Sequence, residues 1–172
     1  MSRGSKSTII ISSVLAIVAA VFAWLNYRQI APKADAQEAG TFFVYAGERE
    51  FTVTMDDLIA LSPYDIKANY KPSGRPAETR TYQGVGLKAV AESLGIDYSG
   101  YESVYFAAAD GYASFVSLIE AMDDGGCHLV LSHDGNPLGS REGGGVGPIM
   151  MIMPNDQFSQ RWCKFLLEVR FQ

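Results

Sequence analysis

Residues 64–94 read YDIKANYKPSGRPAETRTYQGVGLKAVAESL, and this stretch decides the fold class. Tyr64–Tyr70 is strand-like. Lys71–Thr79 is a loop by its Pro and Gly content. Thr81–Val85 leads into Leu87, Val90, Ala91 and Leu94 at helical spacing. Gly95 ends that helix. A strand, a turn-rich loop and a short helix in about thirty residues predict mixed α+β structure.

The same alternation continues on both sides. Thr41–Tyr45 and Glu50–Val53 flank Ala46-Gly47-Glu48-Arg49 and predict a hairpin. Thr54 can cap a helix over Met55–Leu61, with Asp56 and Asp57 in its first turn. Downstream, Ser103–Ala108, Tyr112–Val116, Cys127–Ser132, Ile149–Met153 and Phe165–Phe171 predict strands, and Ser117–Met122 a turn or two of helix. Eight of the 17 glycines fall between Gly125 and Gly147, so the late loops are tight. The expected architecture is a mixed sheet or β-barrel-like core with short helices over residues 41–172.

The N-terminal region is different. After a tail of residues 1–8, Ile9–Leu25 (IIISSVLAIVAAVFAWL) carries no charge. As a helix it spans about 26 Å, close to the ~30 Å of a hydrocarbon core. Trp24 and Tyr27 suit one interface, so residues 9–27 are expected to be a transmembrane signal anchor seated in the bilayer. A signal peptide cut after Ala34-Asp35-Ala36 is the competing reading, but the apolar run exceeds the usual ~7–15 residues. Arg3 and Lys6 are matched by Arg28 and Lys33 across the segment, so charge does not orient it. Residues 28–40 are expected to be a linker. Either reading puts the domain on the extracytoplasmic side, in the periplasm or at the cell surface.

Composition narrows the function. Residues 1–36 carry +3 and residues 37–172 carry −8, which excludes nucleic acid as the main partner. With two cysteines and two histidines, no four-cysteine metal site is available. His128 and His133 stand five apart in a strand, on opposite faces unless the strand bends, so no shared metal is expected. Cys127 and Cys163 are candidates for a disulfide in an exported domain. Neither has the local base or spacing of a catalytic thiol, and no catalytic triad stands out. Ser140–Gly147 (SREGGGVG) could offer backbone N–H groups of Gly143, Gly144 and Gly145 to an anion, with Arg141 adding charge. Tyr64, Tyr70 and Tyr82, with Lys71, Arg75 and Arg80, could line a cleft for an apolar anion or a peptide.

The order of Phe51–Leu61 (FTVTMDDLIAL), Thr81–Leu87 (TYQGVGL), Asp110-Gly111-Tyr112, Asp134–Leu138 (DGNPL), Gly147–Pro154 (GPIMMIMP) and Trp162–Val169 (WCKFLLEV) resembles the molybdopterin-binding domain of the sulfite oxidase family. The resemblance spans nearly all of residues 42–172 and implies a sulfite oxidase-like fold. Family enzymes hold molybdenum through one cysteine in a loop that corresponds to Ala68–Arg75 (ANYKPSGR), which has no cysteine. Where the family has an arginine two residues after Gly-Pro, this chain has Met150. Gly74-Arg75 and Trp162-x-Lys164 match family positions, so Arg75, Lys164 and the 140–147 loop mark any retained cofactor pocket. The expectation is a binding or accessory module at the membrane, with a membrane or envelope protein as partner and without a cofactor. Two alternatives remain: a molybdopterin-dependent oxidoreductase with another ligand set, and a structural or assembly subunit of a membrane complex.

Overall fold

The structure, a computed structural model, describes residues 11–22, 33, 35–71, 74 and 76–172. The chain divides into two compact units, Met1–Asp35 and Ala36–Gln172. In the first, residues 11–22 are helical. Among the described residues no helix is long and apolar enough to cross a membrane. The ends of the expected 9–27 anchor lie outside the described residues.

The second unit begins inside the segment expected to be a linker. Asp35–Glu38 are helical and Gln37 is buried. Its carbonyl accepts the Gly40 N–H at 2.9 Å, and the Gly40 carbonyl accepts that of Met55 at 2.9 Å. These bonds join residues 37–40 to the domain.

Among the described residues, ten strands and three α-helices follow: β1 Thr41–Ala46, β2 Arg49–Thr54, α1 Met55–Ala60, β3 Tyr64–Tyr70, β4 Glu78–Gly86, α2 Leu87–Ser93, β5 Ser103–Ala108, β6 Ala113–Ser117, α3 Leu118–Met122, β7 His128–His133, β8 Asn136–Pro137, β9 Met150–Ile152 and β10 Leu166–Phe171. They build two sheets, in the orders β2-β1-β10-β5-β6 and β3-β4-β7-β8, with β9 also paired to β7. The expected barrel-like closure is absent. The first sheet stops at β2 on one side and β6 on the other, so its hydrogen-bond ladder does not return on itself. The α+β class and the short helices are as expected.

Alternation explains the core. Phe42, Val44 and Ala46 of β1 are buried, as are Val104, Phe106 and Ala108 of β5. The pairing of β1 with β10 is parallel, and it places the last strand in the middle of the first sheet. Residues of both sheets share one buried cluster. Helix α1 starts at the expected Thr54 cap, and the cap is a full capping box. The Thr54 hydroxyl accepts the Asp57 N–H, and the Asp57 carboxylate accepts the Thr54 N–H at 2.8 Å. Helix α2 has no side-chain cap at Gly86, and the Cys127 carbonyl instead accepts the Leu87 N–H at 2.8 Å.

At Gly84, β4 comes close to β7. A Cβ there would lie 2.2 Å from the Leu129 carbonyl oxygen and 2.6 Å from Val130 Cα. Beside this contact the β4–β7 register shifts, from Gly84 opposite Val130 to Gln83 opposite Ser132. Leu131 is therefore an extra residue, a β-bulge. Replacing Gly84 by Ala is expected to lower unfolding stability by about 3 kcal/mol, the upper end of overpacking costs. Chemical denaturation against wild type checks this, and an unchanged midpoint would contradict the close approach.

Candidate functional site

One face of the β3–β4–β7 sheet collects the aromatic residues. Tyr70 ends β3, Tyr82 lies in β4, and His133 ends β7 directly opposite Tyr82. Trp162 stands over both tyrosines, with ring centroids 6.0 Å from Tyr70 and 5.6 Å from Tyr82. The Trp162 indole N–H donates to the Met153 carbonyl at 3.2 Å, so the ring is fixed. Tyr82 is buried, and burial pushes its hydroxyl up to about 12 despite the nearby Arg80 guanidinium. It stays protonated at physiological pH.

Cations surround this platform. The Arg80 guanidinium lies 4.3 Å from the Tyr70 ring centroid, and the Lys164 ammonium 5.9 Å from it. Lys71 stands 4.4 Å over the Phe158 ring. Ser159 locks this corner: its hydroxyl donates to the Lys71 carbonyl at 3.0 Å and accepts the Lys71 N–H at 3.2 Å. His133 Nδ1 is buried without a hydrogen-bond partner and lies 3.5 Å from the Asp134 carboxylate. Glu78, opposite Tyr70, pairs with Arg80 at 3.0 Å, and Asp134 lies beside His133, so Lys71 and Lys164 leave this aromatic surface with a small excess of positive charge, which suits an anionic or π-rich group.

The structure sorts the candidate residues. Lys164 joins Tyr70, and Arg75 lies outside the described residues. Arg141 is exposed on the glycine loop. The loop's N–H groups are not free for an anion. Gly143 donates to the Ser140 hydroxyl, Gly144 to the Arg141 carbonyl and Gly145 to the Ser140 carbonyl. The glycines serve close packing instead: a Cβ on Gly145 would lie 2.4 Å from the Leu138 carbonyl oxygen.

The cysteine expectation is also corrected. Cys127 and Cys163 are buried free thiols. Strand β9 intervenes, because Cys163 bridges to Met151 and Met151 pairs with Leu129 of β7. Two strand spacings, about 9–10 Å, exceed the ~7 Å limit for a disulfide. Burial pushes the Cys163 thiol up to about 12 and the Cys127 thiol higher still, so neither is a nucleophile at neutral pH.

Sequence reasoning missed Arg161. It donates to Glu120 at 2.7 and 3.0 Å and also pairs with Asp156. Glu120 ties it to α3, 41 residues away in sequence, and no local signal announces that pair.

The model of the oxidoreductase molybdopterin binding domain matches residues 42–172. The chain belongs to this family. Among solved structures, the sulfane dehydrogenase SoxCD from Paracoccus pantotrophus is similar, with a TM-score of 0.64 and 15% identity. The alignment covers 78% of this chain and 38% of that one, and at this identity it shows the fold alone. No curated protein matches the sequence.

The residues at the Tyr70 corner do not fit a molybdenum site of the thiolate kind. The segment 68–75 contains no thiol, and both thiols of the chain are buried and protonated. A phenol, an amide oxygen and an ammonium are poor substitutes for a soft anionic ligand. Asn69 already accepts the Thr79 hydroxyl at 2.9 Å, and the Tyr70 ring lies against Arg80 and Trp162. Met150, buried opposite Val130, supplies no cation for a phosphate.

Tyr64 does not join Tyr70 and Tyr82 at this corner. It sits at the other end of β3, where its hydroxyl lies 2.8 Å from His128 Nε2. The bulge at Leu131 turns His128 and His133 to the same face, contrary to simple alternation. They stand opposite Gly86 and Tyr82, four strand positions apart, about 13 Å, which is too far for one metal. Among the described residues no cluster of three metal-ligating side chains occurs.

Burial holds the His128 imidazole below its ordinary range, partly offset by the Gly126 carbonyl. The unfolded chain therefore takes up a proton below about pH 6.5 that the folded chain refuses, and stability falls as pH drops through that value. Urea titrations between about pH 5 and pH 7 should show this slope in wild type and a flatter one in His128→Gln. Equal slopes would assign the acid sensitivity to other groups.

Proposed function

We propose that this domain is a binding or accessory module of the molybdopterin-domain fold that works without molybdenum catalysis. The observation that carries this reading is the thiol-free loop, with the Tyr70 ring packed between Trp162, Arg80 and Lys164. Aromatic faces with flanking cations suit an anionic, partly apolar group on a ligand or a partner protein. Residues 9–27 would hold the domain at the extracytoplasmic side of a membrane, beside a membrane or envelope partner.

Family membership favours a second reading, a molybdopterin-dependent oxidoreductase with a different ligand set. One experiment separates the two. The full chain is expressed in a host that makes the cofactor, then assayed for molybdenum and for pterin fluorescence. The module reading expects folded protein with neither. Stoichiometric molybdenum and pterin would overturn it, and pterin without metal would make the fold a pterin carrier.

A further inference from the structure

We propose that Tyr64 and His128 form a proton-coupled redox pair. The phenol gives one electron to a cationic, outer-sphere one-electron acceptor and its proton to His128 Nε2. The products are a neutral phenoxyl radical, an imidazolium and the reduced acceptor, so charge and atoms balance.

The geometry is set for this step. The Tyr64 hydroxyl lies 2.8 Å from His128 Nε2, and His128 Nδ1 lies 3.0 Å from the Gly126 carbonyl oxygen. A carbonyl only accepts, so Nδ1 carries the ring proton and Nε2 presents its lone pair to the phenol. His128 is 3% exposed, which keeps the imidazole neutral with its Nε2 lone pair towards the phenol; burial lowers its basicity, but an oxidised phenol is so strong an acid that the proton still transfers. Tyr64 is 50% exposed, so an external acceptor can reach the ring. A phenol that loses an electron becomes a strong acid, and a base already in its hydrogen bond removes the charged intermediate from the path. Tyr112 lacks this arrangement, because its hydroxyl donates to the Gln160 carbonyl, which cannot hold a proton. Tyr45 donates to Glu50 on the exposed hairpin, and a solvated carboxylate is a weaker base than imidazole.

The surroundings select the acceptor's charge. Tyr64 opens on a cleft of about 240 Å³, also lined by Gly86, Lys88, Glu92, Asp123 and Asp124. Three carboxylates against one ammonium make a negative mouth, which draws cations at low ionic strength. The pair is six residues along β3 from Tyr70, about 20 Å, so it is separate from the Tyr70 corner.

The test uses the full chain and flash-generated tris(bipyridine)ruthenium(III) as oxidant, with freeze-quench electron paramagnetic resonance. Wild type should give a tyrosyl signal, oxidise more slowly in D2O, and slow as salt is added. Tyr64→Phe, which removes only a half-exposed hydroxyl's oxygen, should lose most of the early signal. His128→Gln should slow oxidation about a hundredfold, the lower end of what a positioned base contributes. If His128→Gln fails to fold, the other two arms decide. An unchanged signal in Tyr64→Phe, or equal rates in H2O and D2O, overturns the proposal.

Discussion

The close approach of β4 to β7 at Gly84 is the constraint on which the rest of the second sheet depends. Backbone meets backbone where any side chain would intrude, 2.2 Å from the Leu129 carbonyl oxygen. The strand on the far side answers with an extra residue at Leu131, and the register changes there. That single insertion turns His133 towards Tyr82 and leaves His128 facing Tyr64. Both ends of β3 acquire their chemistry from it. A regular ladder would place one of the two histidines on the opposite face.

The two ends of β3 then differ in kind. Around Tyr70 lie Arg80, Lys164 and, over Phe158, Lys71, against Glu78 in an ion pair with Arg80, so cations outnumber carboxylates there. Around Tyr64 lie Glu92, Asp123 and Asp124, with Lys88 alone opposing them. One strand thus separates a surface that attracts anions from one that attracts cations. Long-range fields in water fade within about 10 Å at ordinary salt, so the two surfaces act independently across about 20 Å.

Much of this was legible in the sequence where the cause is local. The turn at residues 46–49 marked the β1–β2 hairpin, the Thr54 cap marked α1, and the helical spacing of Leu87, Val90 and Ala91 marked α2. The misreadings have causes that composition does not show. Cys127 and Cys163 seemed a pair until a three-residue strand, β9, took the space between them. The 140–147 loop seemed an anion cradle, but its N–H groups find acceptors at Ser140 and Arg141 within the loop itself. Tyr64 and Tyr70 were grouped by proximity in sequence, although strand geometry sets them at opposite ends of β3. In each case the composition was right for the chemistry, and a partner strand or a neighbouring carbonyl decided otherwise.

The aromatic corner also bears on what holds the late strand in place. Trp162 is buried against Tyr82, and its one polar atom is satisfied by the Met153 carbonyl. Met150, Met151, Ile152 and Met153 are all buried, so the late strand contributes packing rather than a ligand. An apolar side chain at 150 needs no counter-ion, whereas a cation buried opposite Val130 would demand one. On the proposed module reading, a ligand would meet a surface set by Tyr70, Lys164 and Lys71, beside side chains whose packing is completed within the core.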